Sequence, residues 1–246
     1  MAEVFGTVLS DNLIGGFEND YIFASAGNDT IDGLSGDDVL IGQEGDDVIF
    51  GYFGNDLIFG NEGIDIIAGE DGDDMIFAGL GDDLISGNIG NDVLFGNTGI
   101  DFLDGGEGAD TLFGGQGDDL LSGGSGNDVV LGNLGDDFIV GVDLLSVTPG
   151  LGEVDILIGG DGIDTYALAS EDNAFYVGFG YSDFAILADF NNTEDFIGVR
   201  NLDTVSVANL NLDGSGVGIF ENDDLIGFIP GQTTNDLSIQ NFIALT

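Results

Sequence analysis

From Gly6 to Ala167 the chain keeps a nine-residue period through eighteen consecutive units, without insertion or deletion. Numbering positions 1 to 9 from Gly6, position 6 is Asp in seventeen of those units, and only Ser146 departs. Position 4 is Gly in every unit from Gly27 to Gly135. Position 8 is aliphatic through the first fifteen units, as at Leu40, Ile49, Ile58 and Ile67. A nonapeptide cannot bury its one apolar residue alone, so neighbouring units must stack and share a core.

Each unit divides into a turn half and a strand half. Glycines at positions 1, 2 and 4 reach positive φ without a Cβ clash, so the first six residues coil tightly. Positions 7 to 9 read as a three-residue strand, such as Val48-Ile49-Phe50, with position 8 turned to one side and positions 7 and 9 to the other. Two units then make one coil of eighteen residues with a strand on each side. Nine coils at strand spacing give a rod of about 43 Å.

A turn of this kind offers one carboxylate and inward-pointing carbonyls. Oxygen-only ligands suit a hard cation, and Ca²⁺ above all. Zinc is disfavoured because the chain has no His and no Cys. The candidate metal ligands are Asp20, Asp29, Asp38, Asp47, Asp56, Asp65, Asp74, Asp83, Asp92, Asp101, Asp110, Asp119, Asp128, Asp137, Asp155 and Asp164. Turns on one edge recur every eighteen residues, so a cation between stacked turns would join Asp92 to Asp110, or Asp101 to Asp119. The further acids at position 5, such as Asp37, Asp46, Asp73 and Asp118, read mainly as a solvated face.

Gly114–Ser122 (GGQGDDLLS), Gly105–Phe113 (GGEGADTLF) and Gly123–Leu131 (GGSGNDVVL) resemble the glycine-rich nonapeptides of the RTX, or haemolysin-type calcium-binding, family, GGxGxDxUx with U apolar. The resemblance covers about two-thirds of the chain. It implies an all-β fold, a right-handed parallel β-roll, or β-solenoid, with Ca²⁺ held between successive turns and export by a type I secretion machinery. Discounting the ends and the unit with Ser146, on the order of 10–14 Ca²⁺ ions are expected. Leu9 and Glu18 stand where the motif has Gly, so sites near that end are expected to be weak or missing.

Charge agrees with a cation-dependent chain. Forty-seven acids face a single base, Arg200, for a formal net charge of −46. Such a chain repels itself unless cations neutralise it, and it has nothing with which to grip nucleic acid. A hydrophobic share of 43% is too high for a plain disordered acidic tail. No apolar run is long enough for a membrane-spanning helix, and the N-terminus lacks the basic and apolar regions of a secretory signal peptide. Without Cys, His or Lys the usual nucleophile–base pairs are missing, so an enzyme is not expected. Met1 stands five residues from the first unit, so a preceding catalytic domain is not expected.

The two faces differ at position 9. Even-numbered units carry Phe23, Ile41, Phe59, Phe77, Phe95, Phe113 and Leu131, whereas odd ones mix in Asp32, Ser86, Asp104 and Ser122. The apolar ladder either stabilises its own sheet or is a surface to be covered. The ladder and the uncapped N-terminal end are candidate surfaces for a homo-oligomer or filament.

Two segments are expected: a calcium-binding β-roll over 1–167, with a loop excursion at about 141–154 around Ser146 and Pro149, and a β-rich cap over 168–246. In the cap, strands are expected at 175–180, 183–190, 196–199, 216–220 and 224–230. Phe184–Val199 is similar to the segment that follows the repeats in many RTX exoproteins, and the final residues are compatible with a type I secretion signal. The reading is a secreted, calcium-folded protein with a structural role at the cell surface or in the extracellular matrix. A non-catalytic module binding surface polysaccharide is the alternative.

Overall fold

The protein is described by a computed structural model covering residues 3–142, 153–168, 184–199, 205–210, 216–221, 224–234 and 236–244. Among the described residues the chain is all-β apart from one short 3-10 turn at Ile239–Asn241. It begins with β1 (Glu3–Phe5) and β2 (Asn12–Ile14). Thirteen six-residue strands follow, from β3 (Tyr21–Ala26) to β15 (Val129–Leu134), and then β16 (Phe138–Val142), β17 (Val154–Asp161) and β18 (Thr165–Ala167). Odd-numbered strands stack into one parallel sheet and even-numbered strands into the other, each strand pairing with the strand one coil away. Register advances by eighteen residues per coil, as in Leu94↔Leu112 and Leu103↔Leu121. This is a parallel β-solenoid.

The core is the stack of position 8. Ile22, Ile31, Leu40, Ile49, Ile58, Ile76, Ile85 and Leu94 are fully buried, each between its equivalents in the coils on either side. No second apolar layer is needed, because two facing ladders already fill the narrow space between the sheets.

From β3 to β15 the strands are six residues long, not three. They continue through positions 1 to 3 of the next unit, as in Val48–Phe53. The glycine at position 1 stays out of the positive-φ region, and close approach is what requires it. A Cβ on Gly33 would lie 2.7 Å from Oδ2 of Asp38 and 2.8 Å from the Gly51 carbonyl oxygen. Positive φ falls at positions 2 and 4. Position 2 holds it even with side chains, at Gln43 (φ 91°), Tyr52 (φ 75°) and Glu70 (φ 79°), where stacking outweighs the strain.

Between β15 and β17, and between β16 and β18, the register step rises to twenty-seven residues, as in Val129↔Ile156 and Phe138↔Thr165. The step is thus one nonapeptide longer than elsewhere along the rod. Residues 143–152, with Ser146 and Pro149, lie outside the described residues, as do the strand expected at 175–180 and Arg200.

Both sheets run on past residue 167. β19 (Phe184–Leu187) pairs parallel to β17, and β20 (Phe196–Val199) parallel to β18. Next come β21 (Val205–Leu210), β22 (Gly216–Glu221), β23 (Asp224–Pro230) and β24 (Phe242–Ala244). β23 joins β19 and is extended by an antiparallel β23–β22–β21 meander, while β24 closes the other sheet against β20. The nine-residue sequence beat ends before the parallel coil does.

Candidate metal centre

The position-6 aspartates form two ladders, one along each edge of the rod. In each ladder the backbone N–H of one Asp donates to Oδ1 of the Asp in the next coil, over 2.6–3.2 Å from Asp11 to Asp195. The turn places the carboxylate inward because the glycine at position 1 leaves it room. Asp20 through Asp164, all sixteen candidates, are buried to within a few per cent of full enclosure.

The second carboxylate oxygen divides them. Oδ2 is buried without a hydrogen-bond partner in Asp29, Asp38, Asp47, Asp56, Asp65, Asp74, Asp83, Asp92, Asp101, Asp110, Asp119, Asp128, Asp137 and Asp164. At the ladder ends Oδ2 is taken by the residue's own turn. Asp11 accepts from the Thr7 N–H, Asp20 from the Gly16 N–H at 2.6 Å, and Asp195 from the Asn191 N–H at 2.7 Å. Asp20 thus differs from these fourteen. Asp155 is fully buried and accepts the Asp128 N–H, in line with its ladder.

Burial raises the carboxyl pKa along the interior, to about 8 for Asp74 and Asp128 and about 7 for Asp65, Asp92, Asp119 and Asp164. The N–H donated from the neighbouring coil opposes this, and the carboxylates above and below add to it. A buried acceptor without a donor, in a charged group and repeated along a rod, is costly unless a cation completes it.

Position 5 has more to do than face solvent. Oδ1 of Asp37 accepts the Asn55 N–H, Oδ1 of Asn55 accepts the Asp73 N–H, and Oδ1 of Asp73 accepts the Asn91 N–H. This outer ladder runs opposite to the inner one, each side chain accepting from the coil ahead. Asn serves as well as Asp, because only a neutral acceptor is needed. Asp195 was not among the sequence candidates, although its spacing to the buried Ile197 repeats the position-6 to position-8 spacing. It extends one ladder beyond the repeats.

A family model described as the RTX calcium-binding nonapeptide repeat matches residues 5–40, 32–67, 59–94, 68–103, 86–121 and 104–139, more than half of the chain. The chain belongs to this RTX family. Family membership carries calcium binding by the repeats. No curated protein matches the chain in sequence. Among solved structures it is similar to the AlgE6R3 subunit of the Azotobacter vinelandii mannuronan C5-epimerase, at 22% identity and TM-score 0.29, over 71% of this chain and 80% of that one. It is also similar to the extracellular lipase LipA of Serratia marcescens, at 18% identity and TM-score 0.27, over 90% of this chain and 40% of that one. This RTX chain thus spans less than half of the lipase's length.

Proposed function

We propose that the protein is a calcium-folded RTX rod that works outside the cell as a non-catalytic structural element. The observation carrying this reading is the series of fourteen buried Oδ2 atoms without a partner. Oxygen donors of high charge density in an enclosed turn fit a hard divalent cation, and calcium tolerates the irregular oxygen shell that turns supply. Among the described residues no three carboxylates converge, so each site would draw one carboxylate from an interior Asp and its remaining ligands from backbone carbonyls. The interior candidates from Asp29 to Asp164 would hold the ions. Asp20, whose Oδ2 is already satisfied, would contribute least.

Calcium supplies the positive charge that lets these carboxylates stay ionised while buried. Ten to fourteen ions, an order-of-magnitude count, would cancel roughly half of the net charge of −46. Because the cages exist only once coils stack, binding free energy becomes folding free energy. In calcium-poor cytosol the chain would remain extended enough for export by a type I machinery, and it would fold where calcium is abundant. A β-rich cap over 168–246 carrying the export signal belongs to the same proposal.

The polysaccharide-binding alternative needs open aromatic faces. Phe59, Phe77, Phe95 and Phe113 instead stack on one another, with centroids 4.6–5.2 Å apart and planes within 8°. Both faces of Phe77 and Phe95 are thereby occupied, which favours self-stabilisation of the sheet. Circular dichroism of the full chain with calcium and with a chelator tests the main reading. Loss of β signal on chelation and its return with calcium are expected, and an unchanged spectrum would reject calcium-coupled folding.

A further inference from the structure

We propose that Glu153 is a second carboxylate ligand for calcium at the register step, where it joins Asp128 in a two-carboxylate site. The inference rests on the calcium reading above and adds to it a residue outside the repeat motif. β14 (Leu120–Ser125) pairs with β16 in the eighteen-residue register, through Gly124↔Val142. β17 then lies twenty-seven residues on from β15. The position-6 residue stacked on Asp128 is therefore Asp155, and Glu153 stands two residues before it.

Three hydrogen bonds fix the turn of Glu153 on the turn of Asp128. The Asp128 N–H donates to Oδ1 of Asp155 at 2.9 Å, the Val154 N–H to Oδ1 of Asn127 at 2.8 Å, and the Ile156 N–H to the Asp128 carbonyl at 2.8 Å. On the other side the Phe184 N–H donates to the Glu153 carbonyl at 3.1 Å. Glu153 is thus held between the Asp128 turn and the start of β19. It occupies position 4, which is Gly in every unit from Gly27 to Gly135. There a Cβ would collide with the preceding coil, as that of a substituted Gly135 would with the Gly117 carbonyl oxygen. Glu18 holds the same position in the first coil, but it is exposed.

The donors at this step are oxygens, and two of them carry charge. Asp128 is 1% exposed, and its Oδ2 is buried without a partner. A Cβ on Gly123 would lie 2.6 Å from that oxygen and 2.5 Å from the Gly141 carbonyl oxygen, so both face the same small space. Oε2 of Glu153 is also buried, although the residue as a whole is only half-buried. Burial raises the Asp128 carboxyl to about 8, and the charges of Asp155, Asp110 and Glu153 add to the rise. Two enclosed carboxylates repel unless a proton or a cation comes between them. A hard cation with an irregular oxygen shell suits this set, and a Glu can bind Ca²⁺ through both oxygens. The ion would tie the chain back to the rod where the repeat misses a beat.

The test is a calcium titration of the full chain at pH 7, followed by circular dichroism and by hydrogen exchange at Val154 and Ile156. Glu153→Gln keeps the shape of the side chain and removes its charge. It should need about tenfold more calcium than the parent to protect those two amides. Glu107→Gln, which removes an exposed acid elsewhere on the rod, should leave the midpoint unchanged. In chelator at pH 5, Glu153→Gln should melt no lower than the parent, because a lost ligand costs nothing where no ion is bound. An unshifted midpoint would overturn the proposal, and so would a variant that melts lower in chelator as well, since that marks a purely structural side chain. A parent without any calcium response would reject calcium-coupled folding and this site with it. A responsive parent matched by Glu153→Gln would reject this ligand alone.

Discussion

The backbone N–H of Asp74 donates to Oδ1 of Asp92 at 2.7 Å, while Oδ2 of the same carboxylate is buried with no partner. One oxygen holds the coil and the other is the calcium ligand proposed above. Asp92→Asn keeps an acceptor for the Asp74 N–H and removes the charge. Without calcium it should be at least as stable as the parent, and with calcium it should lose about 1–3 kcal/mol of metal-linked stability. Asp92→Ala should be about 1 kcal/mol less stable than Asp92→Asn in both conditions, through the missing hydrogen bond. Thermal melts with calcium and with chelator separate the two, and an Asn variant that keeps the parent's full calcium stabilisation would assign Asp92 to structure alone.

The raised carboxyl pKa values set a pH dependence for the metal-free protein. Asp47, Asp56 and Asp83 lie near 6, Asp65 and Asp92 near 7, and Asp74 near 8, against about 3.9 in an unfolded chain. Between these limits the folded state binds more protons, so metal-free stability is greatest below about pH 4 and falls as pH rises through about 6 to 8. Calcium, which needs the ionised form, should reverse the trend. Denaturant melts in chelator at pH 5 and pH 8 check the sign, and greater metal-free stability at pH 8 would contradict it.

Glycine positions should respond in opposite directions. A Cβ on Gly90, at φ 153°, would collide with the Gly72 carbonyl, a backbone contact that cannot move aside. Gly90→Ala should cost at least about 2 kcal/mol. Gln43 carries a side chain at φ 91°, so Gln43→Gly relieves strain and should gain up to about 1 kcal/mol. Chemical denaturation in calcium measures both.

Phe77 stacks between Phe59 and Phe95, at 5.2 and 4.6 Å. Phe77→Leu retains most of the apolar area but loses two ring contacts, and about 1–2 kcal/mol is expected. Phe77→Ser should lose more. Equal stability of the Leu variant and the parent would show that area alone matters on this face.

In the last repeat unit Tyr166 is tied to Asp189. The buried Tyr166 hydroxyl donates to Oδ1 of Asp189 at 2.8 Å and accepts the Gly159 N–H at 2.8 Å, while Asp189 also takes the Gly160 N–H. Tyr166→Phe should cost about 1–2 kcal/mol and Asp189→Ala more, because two backbone donors and a hydroxyl lose their acceptor. Hydrogen exchange at Gly159 and Gly160 should quicken in both variants.

The amino-acid order alone determined the parallel coil, its eighteen-residue step, the identity of the core residues and the carboxylate ladders. Position 8 must be buried and position 6 must repeat, and a strict period allows one way to stack. Strands at 196–199 and 224–230 were legible for the same reason, through alternating apolar residues between turn formers.

Only the tertiary structure decided which atoms meet between coils. Gly33 looks like a turn glycine in the sequence, yet Asp38 and the next coil's backbone are what exclude its side chain. Asp73 looks like solvated charge, yet it holds the Asn91 N–H. Asp20 and Asp92 occupy the same motif position, yet one carboxylate is satisfied by its own turn and the other is not. The twenty-seven-residue register step and the place of Asp195 in the ladder likewise depend on how the coil closes over residues far apart in the chain. A period specifies which residues recur. Contact between recurrences is set by stacking, which acts across coils rather than along the sequence.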